Sequence, residues 1–459
     1  MYRSAQERHD LGRAARSALP RSALAEVALP PGRADPVALL QSQAQSRIAE
    51  LVPIRYGRML ASPLAFYRGA ALVMAADLAA GPHTGLTTQL CGDAHLSNFG
   101  LFASPERNLV FDINDFDETL PGPWEWDVKR LVASLAIAGR LNGFQAPDCE
   151  NVVRACACAY RERMTELAAM RELDVWYAQT VIDAELESGV DTEYAQSIRQ
   201  TAAKARTRDN LHTVAKLTEV VEGRRQLISH PPLLVPIAEL VGADDARRYE
   251  RQADALMQRY RDSLDTARRN LVDRFEYAGM ARKVVGVGSV GLRSWVVMML
   301  GRDDDDPSLM QLKEAQPSVL ERYLGASGYA NAAQRVSDGQ RLMQASSDIL
   351  LGWLHAVGPD GHEADYYVRQ LRDWKGSVPI EPTSPKLLAD YGRSCGHALA
   401  RAHARSGDRI AIAAYLGTGD TADTALVRFA EAYADQNDRD YAALQAAAAD
   451  GRISAESDL

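Results

Sequence analysis

The chain has 459 residues and a formal net charge of −9, with 52 Lys and Arg against 61 Asp and Glu. This length suffices for two or three domains of about 150 residues, and the acidic balance argues against a protein that binds nucleic acid by neutralising phosphates, so we expect no sequence-specific nucleic-acid partner. No apolar run approaches the roughly 18 residues of a membrane span and the five cysteines form no C-x-x-C pair, so we expect a cytoplasmic protein without a membrane partner, a disulfide framework or a zinc site.

The first two parts of the chain are residues 1–60 and 61–147. Prolines break up residues 1–60, which predicts an irregular arm leading into a helix over residues 36–51. Hydrophobic spacing and turn residues organise the second part. They predict a helix over 63–80, a strand over 86–90, a hairpin of strands 99–102 and 109–113, and a helix over 126–141.

The other three parts are residues 148–282, 283–375 and 376–459. Residues 148–282 are predicted to be almost wholly helical, and so is the last part. At Lys283 the composition changes, and the pattern of residues 283–375 predicts a five-stranded antiparallel sheet. Its strands begin at 283, 293, 309, 349 and 366, with one helix over 330–345. The predicted fold class is therefore α+β.

The strongest chemical signal lies in the loop after the strand over 86–90. Asp93 is followed five residues later by Asn98, and this spacing on a loop between short strands is typical of a phosphotransferase catalytic loop. In such loops the Asp accepts the proton of the attacking hydroxyl and the Asn binds a metal ion. We therefore predict that Asp93 is the catalytic base and that Asn98 is a metal ligand.

A group of carboxylates follows the predicted hairpin. Magnesium binds through one or two carboxylates together with phosphate oxygens, so one Asp of this group would complete a site with Asn98. If the hairpin pairs out to Asp112, the chain leaves the ladder near Asp115 and faces the loop again, whereas Asp112 alternates inside the strand. Asp115 is favoured as the second metal ligand, and Asp112 is the alternative.

A glycine-rich segment opens the predicted sheet. It reads Gly286-Val287-Gly288-Ser289-Val290-Gly291. The pattern G-x-G-x-x-G occurs in dinucleotide sites, where a helix follows it, and in the loops of protein kinases that cover a nucleotide. Here a β-prone run follows, which favours a strand-turn-strand loop over nucleotide phosphates. Lys313, one of only seven lysines, ends a later strand and is predicted to contact those phosphates.

These segments resemble the protein-kinase-like fold, and particularly its aminoglycoside-phosphotransferase and choline-kinase branch. The loop Cys91-Gly92-Asp93-Ala94-His95-Leu96-Ser97-Asn98 is similar to the branch's His-Gly-Asp-x-His-x-x-Asn loop, with Cys91 in place of an architectural histidine. Asn114-Asp115-Phe116-Asp117-Glu118 is similar to its metal segment, and Pro123-Trp124-Glu125-Trp126-Asp127 to the helix start after it.

The resemblance implies two supporting residues. Asp127 would support the catalytic loop from behind, with a plain helix N-cap as the alternative. His95 would orient the same loop by hydrogen bonding, with a structural histidine as the alternative. The acid partner of Lys313 stays open among Glu314, Glu321 and Asp338, with Asp338 slightly ahead because of its helical setting. Arg68 and Arg369 have no assigned role, although either could meet a phosphate.

The chain also resembles, over nearly its full length, the uncharacterised bacterial family called domain of unknown function 2252. The segments that carry this similarity include Leu51-Val52-Pro53-Ile54-Arg55-Tyr56-Gly57, Phe66-Tyr67-Arg68-Gly69 and Tyr367-Val368-Arg369. This resemblance brings no established substrate.

The order of the motifs is the reverse of that in kinases, because Asp93 precedes Lys313 by 220 residues. We therefore expect a circularly permuted, bilobal fold, in which the sheet of residues 283–375 is the nucleotide lobe and both ends of the chain build a larger helical lobe. The resemblance implies a phosphotransferase that uses ATP and Mg²⁺ and acts on an unknown small-molecule hydroxyl. Transfer of AMP on the same fold, or nucleotide sensing without catalysis, are the alternatives; the sequence does not indicate an oligomeric state.

Overall fold

The computed structural model describes residues 3–183, 193–207, 210–284, 286–358, 360–371 and 374–456. About 53% of the chain is helix and 16% is strand, and the sheets are antiparallel, so the predicted α+β class is confirmed. The helices of the described part are α1 (Ala5–Ala18), α2 (Pro36–Ala44), α3 (Val52–Met59), α4 (Pro63–Gly69), α5 (Ala71–Ala80), α6 (Trp124–Leu141), α7 (Ala146–Ala169), α8 (Glu172–Tyr177), α9 (Glu193–Arg206), α10 (Asn210–Leu217), α11 (Ile237–Val241), α12 (Ala243–Asp262), α13 (Thr266–Val272), α14 (Glu321–Leu324), α15 (Ala332–Met343), α16 (Pro385–Ser406), α17 (Arg409–Leu416) and α18 (Thr421–Ala449). Short 3₁₀ helices cover Arg21–Ala25, Ala49–Leu51 and Leu96–Asn98.

The largest sheet has six strands rather than the five predicted. The strands are β1 (Thr87–Leu90), β2 (Phe99–Ala103), β3 (Leu109–Ile113), β4 (Leu120–Pro123), β5 (Thr218–Val221), β6 (Arg224–Leu227), β7 (Leu234–Pro236), β8 (Glu276–Lys283), β9 (Ser294–Leu300), β10 (Pro307–Ala315), β11 (Gly352–Val357) and β12 (Glu363–Gln370). The order in the large sheet is β11-β12-β10-β9-β8-β7. The sixth strand, β7, comes from the segment predicted to be helical and covers the edge of β8.

Strand β10 lies inside this sheet, between β9 and β12. Lys313 near its end pairs with Ser294 on β9 and with Tyr367 on β12. The apolar side chains of β9 and β10 are buried on both faces, because α12 and α13 cover one face and β7 and α10 flank the other. A lysine in this register therefore lies in the interior, with its backbone bonded on both sides.

The prediction that residues 148–282 are almost wholly helical was wrong. A hairpin of β5 and β6 interrupts this segment, and β7 and β8 follow. The hairpin turn consists of Glu222 and Gly223, which both have positive φ angles of 50° and 79°. Two consecutive positive φ angles are typical of the tight turn whose twist matches a hairpin. Residues 184–192 and 208–209, which belong to the same predicted segment, lie outside the described residues.

The N-terminal arm is partly helical, which the sequence interpretation missed. Helix α1 begins at a capping box in which Ser4 and Glu7 bond to each other's backbone N–H groups. It packs on α17 at Gly12, where a Cβ atom would lie 2.1 Å from the Ala411 carbonyl oxygen. The predicted helix over 36–51 ends at Ala44 and is followed by the 3₁₀ turn.

The predicted helix over 63–80 consists of α4 and α5, which meet at an angle of 74°. In the described part of the chain no single helix is long and apolar enough to cross a membrane, although this bent pair meets the same length and composition test. Both of its helices are packed into the interior, where Leu64 and Leu72 belong to the main hydrophobic core.

The main core joins helices from both ends of the chain. Helix α6 packs against α7, α16 and α18, and α18 also packs on the 3₁₀ helix of Arg21–Ala25. The small β1–β4 and β2–β3 sheets lie on this helical layer, and their strands carry the predicted catalytic loop and hairpin between them. Residues far apart in the sequence are thereby held on one scaffold.

Candidate active site

A cavity of about 950 Å³ lies where the predicted catalytic loop, residues 91–98, meets the glycine-rich segment and the N-terminal helices. Asp93, Asn98 and Asp115 line it, and so do residues 286–289 of the glycine-rich segment. Lys313 lies directly behind this wall, with its side chain 3% exposed, and bonds to Asp117, which lines the cavity. The structure therefore brings together two motifs that are 220 residues apart in the sequence.

The catalytic loop is held from behind by Asp127. Its carboxylate accepts hydrogen bonds from the backbone N–H groups of Cys91 at 2.7 Å and Gly92 at 3.0 Å. Gly92 has a φ of 83°, and a Cβ atom there would lie 2.1 Å from the Glu118 carbonyl oxygen, so only glycine fits. Asp127 lies in the first turn of α6, whose N-cap residue is Pro123, and its supporting role in catalysis stays a prediction.

Among the described residues, the carboxylate of Asp93 is hydrogen-bonded through one of its two oxygen atoms. The Nε and Nη2 atoms of Arg130 lie 2.8 and 2.7 Å from its Oδ1 atom, while Nε2 of His95 is 3.7 Å from Oδ2. Burial raises the pKa of Asp93, and the charge of Arg130 only partly opposes this, so the pKa lies above its usual range. The Oδ2 atom is thereby left for a ligand in the cavity.

His95 is buried against this carboxylate and lines the cavity. Burial lowers the pKa of His95 well below its usual value, and the charges of Arg68 and Arg130 lower it further, so the imidazole is neutral. Its Nδ1 atom has no hydrogen-bond partner in the described part of the chain. The role of His95 in orienting the loop stays a prediction.

Asn98 connects the catalytic loop to the acidic segment. Its Nδ2 atom donates to the Asp93 carbonyl oxygen at 2.6 Å, and its own carbonyl oxygen accepts from the Asn114 backbone at 2.8 Å. No hydrogen bond within the described residues uses its Oδ1 atom. This amide oxygen is therefore the atom of Asn98 that a cation could use.

The two aspartates proposed as metal ligands lie in different surroundings. Asp112 is buried in β3, opposite Gly100, and forms an ion pair with Arg401 of α16, away from the cavity. Asp115 lines the cavity, and its Oδ1 atom accepts a hydrogen bond from the backbone N–H of Asp117 at 3.2 Å. Of the two, Asp115 shares the cavity with Asn98.

Lys313 takes Asp117 as its acid partner, which the sequence interpretation did not consider. The ammonium group bonds to Asp117, and the hydroxyl of Tyr367 donates to the same carboxylate at 2.8 Å. Burial alone would raise the pKa of Asp117, but Lys313 and Tyr367 lower it below its usual range. Burial opposes charge on Lys313 as well, yet Asp115 and Asp117 raise its pKa above the usual value.

The three acids considered as partners of Lys313 are engaged elsewhere. Glu314 bonds to Arg293, Glu321 accepts backbone N–H groups and faces Arg335 at 3.8 Å, and Asp338 faces Arg341 at 3.4 Å. Asp338, which was slightly ahead, thus lies on α15 without a contact to the lysine.

The glycine-rich segment forms a loop between β8 and β9, as its pattern predicts. Gly286 and Gly291 have left-handed φ angles of 66° and 88°. The N-terminal helices hold the loop, because Arg58 donates to the Gly286 carbonyl oxygen at 2.6 Å and Arg47 donates to that of Val290. Ser289 reaches towards Asp117, with 3.4 Å between their side-chain oxygens.

Arg335 is a further structural element of the site that sequence reasoning missed. It lies on α15 with its side chain 1% exposed, and it donates to the carbonyl oxygens of Asp117 at 2.8 Å and Gln316 at 2.9 Å, and also to that of Thr119. It therefore ties the acidic segment to the sheet. Only its position on a predicted helix was visible in the sequence, because these carbonyl partners are distant in the chain.

The donor set of the cavity suits a hard cation. Among the described residues no group of three His, Cys, Asp or Glu side chains has the geometry of a metal site. Asn98 Oδ1 and the Asp115 carboxylate are oxygen donors on one cavity wall, and magnesium commonly takes one or two protein oxygens and completes its shell with phosphate and water. The residues therefore fit magnesium together with a phosphate ligand, and do not fit a metal held by the protein alone.

One comparison with known proteins gives a match. The model of a family described as "Uncharacterized protein conserved in bacteria (DUF2252)" matches residues 47–447. The matched range includes the cavity-lining segments described above. The searches of curated proteins and of solved structures returned no match.

Proposed function

We propose that this chain, which belongs to the uncharacterised bacterial family DUF2252, catalyses the magnesium-dependent transfer of a phosphoryl group from ATP to the hydroxyl of a small molecule. The observation that carries the proposal is the shared cavity. Asp93, Asn98 and Asp115 line it opposite a glycine-rich loop, with a buried Lys313 behind one wall. These are the parts that phosphoryl transfer requires: a base, a metal site, and donors around the phosphates.

Asp93 is the proposed base. Arg130 holds its Oδ1 atom and leaves Oδ2 for the acceptor. In the reaction the acceptor oxygen bonds to the γ-phosphorus, the bond to the β–γ bridging oxygen breaks and ADP leaves. The hydroxyl proton passes to Asp93, whose raised pKa makes it a better proton acceptor than an ordinary surface carboxylate.

Asn98 and Asp115 are the proposed magnesium ligands. A bound magnesium ion would neutralise phosphate charge and orient the terminal phosphate. The contribution of the chain is the fixed spacing of the two ligands, because Asn98 is bonded to the loop that carries the base and to the backbone that leads to Asp115.

The glycine-rich loop and Lys313 are the proposed phosphate side of the cavity. The loop is anchored at its backbone by Arg47 and Arg58, so it has a defined position before a ligand binds. Lys313 supplies positive charge beneath Asp115 and Asp117. A direct contact between Lys313 and a phosphate stays a prediction, because its ammonium group is engaged by Asp117.

The proposed architecture is a circularly permuted, bilobal, protein-kinase-like fold. Two observations support it. The six-stranded sheet carries the glycine-rich loop and Lys313, and the helical layer that carries Asp93 is built from segments on both sides of that sheet in the sequence. The fold analogy raises the expectation of a kinase-like reaction but does not identify the acceptor.

A melting-temperature shift with MgATP is the first test. A ligand that binds only the folded state at about 100 times its dissociation constant adds roughly 2.7 kcal/mol of stability. We expect a rise with MgATP that is lost in EDTA, and the absence of any shift at millimolar nucleotide would reject the proposal. Mass spectrometry of products from a metabolite mixture then separates the alternatives, since phosphoryl transfer adds phosphate, transfer of AMP adds a nucleotide, and a sensor leaves every metabolite unchanged.

A further inference from the structure

Two arginines near the N-terminus, the buried Arg47 and the partly buried Arg68, differ from several other arginines of this protein. Arg130, Arg161 and Arg401 each form an ion pair with an aspartate. The fully buried Arg55 has hydrogen bonds to Gln43 and Gly69 and lies outside the cavity lining. Arg47 and Arg68, by contrast, line the cavity and make no ion pair within the described part of the chain. A charge removed from water is unfavourable unless it is paired, so two unpaired guanidinium groups in the lining of one cavity are positions where an anionic ligand would be favoured.

The hydrogen bonds of the two arginines also leave donors for an anionic ligand. Arg47 is 8% exposed, and its single side-chain bond goes to the Val290 carbonyl oxygen, while its Nε atom has no partner. The Nε atom of Arg68 is also buried without a partner, and the rest of its guanidinium makes no hydrogen bond in the described residues. Burial lowers the pKa of both groups, and the carboxylates near them, Asp117 and Glu118 for Arg47 and Asp93 and Asp115 for Arg68, oppose this only in part.

Arg68 lies near the residues that are proposed to act on the terminal phosphate of a nucleotide. Its charge interacts with Asp93 and with Asp115, the proposed base and metal ligand. The glycine-rich loop passes over it, since a Cβ atom on Gly288 would lie 3.5 Å from the Arg68 carbonyl oxygen. In the proposed reaction, the terminal phosphate is the group that lies between the base, the metal ligand and this loop.

We propose that Arg68 and Arg47 form an anion subsite that binds the terminal phosphate of the nucleotide. This inference rests on the proposed function. An arginine fork matches phosphate oxygens with two parallel hydrogen bonds, and the charge-assisted bonds are stronger than neutral ones. Arg68 is then a phosphate-binding residue that comes from a helix near the N-terminus, outside both the catalytic loop and the sheet.

The test compares MgATP with MgADP, which lacks the terminal phosphate, by isothermal titration calorimetry. The variants are Arg68→Ala, Arg68→Lys and, as the control, Arg322→Ala, which removes a positive charge from the exposed rim of the same cavity. We expect Arg68→Ala to weaken MgATP binding by about tenfold or more and MgADP binding by less than about twofold. Arg68→Lys should fall between the wild type and Arg68→Ala for MgATP, and Arg322→Ala should change both affinities by the same factor.

Two results would overturn the subsite, and they are distinguishable from failure of the proposed function. If the wild type binds both nucleotides and Arg68→Ala changes their affinities equally or not at all, the arginine does not bind the terminal phosphate. If the wild type binds neither nucleotide, the function and the subsite both fail. Circular dichroism melting of each variant shows that the comparison is made on folded protein, and Arg68→Lys keeps the test valid where Arg68→Ala does not fold.

Discussion

Arg130 places two nitrogen atoms within 2.8 Å of a single oxygen atom, Oδ1 of Asp93. This asymmetric pairing fixes the carboxylate and leaves its other oxygen towards the cavity. It also limits the effect of burial on the pKa of Asp93. Arg130 is therefore a positioning residue that also sets the pH range in which the proposed base is ionised.

Replacement of Arg130 should shift the pH dependence of activity. In Arg130→Gln the opposing charge is lost, so burial raises the pKa of Asp93 further, and the acidic limb of the kcat/KM profile moves to higher pH by about one unit or more. Arg140→Gln, an exposed position on the same helix, is the matched control. A profile that falls in amplitude without moving along the pH axis would show that Arg130 has only a structural role.

Replacement of Asp93 should separate binding from transfer. Asp93→Asn removes the proton acceptor, so the transfer rate should fall by about 10²–10⁴-fold while MgATP still raises the melting temperature. Asp438→Asn, at a half-exposed carboxylate that pairs with Arg140, is the control for loss of one negative charge. Undiminished turnover in the Asp93 variant would rule out the assigned base.

The two candidate metal ligands should respond differently to mutation. Asp112→Ala leaves the buried Arg401 without its partner and should lower the free energy of unfolding in urea by about 3–5 kcal/mol. Asp115→Ala should lower stability less, and should abolish the magnesium dependence of nucleotide binding in a titration with MgCl₂. The opposite pattern, with magnesium dependence lost only in a folded Asp112 variant, would exchange the two assignments.

The ion pair of Lys313 and Asp117 should make the free energy of unfolding depend on pH. Because the folded pKa of Asp117 lies below its unfolded value of about 3.9, its stabilisation is present above that pH and is lost as the pH falls through the folded pKa. Lys313→Met removes the charge that most strongly lowers this pKa, so the variant lacks much of the stabilisation that the wild type has above about pH 3.9. We expect the deficit against wild type to be larger by about 1 kcal/mol at about pH 6 than at about pH 3, measured by urea unfolding at both values. An equal deficit at the two pH values would contradict this.

Local patterns predicted much of the secondary structure around the cavity. The hairpin of β2 and β3 was expected at nearly its observed bounds, and the register of Gly100 opposite Asp112 agrees with the expectation that Asp112 lies inside the strand. The loop of residues 286–291 was predicted from glycine spacing and the β-prone run after it. The errors came from signals that were overlooked, namely the capping box of Ser4 and Glu7 and the Glu222-Gly223 turn.

The side-chain pairings of the site were harder to predict, since they depend on how distant segments pack. Asp117 is two residues from Asp115, and only the position of β10 and β12 shows that Lys313 and Tyr367 reach it. Arg130 follows Asp127 by three residues on a helix, yet its bond to Asp93 depends on the turn made by the catalytic loop. Periodicity and motif spacing carry no information about such contacts.

The bond between Lys313 and Asp117 also connects two parts of the protein, because it joins the six-stranded sheet to the acidic segment across the back of the cavity. Any movement that widens the cavity by lifting the sheet must separate Asp117 from the buried ammonium group of Lys313, and leaving a buried charge unpaired is strongly unfavourable. An anion that takes the place of Asp117 on the ammonium group removes that barrier. The ease with which this cleft opens is therefore coupled to the charge of what occupies it.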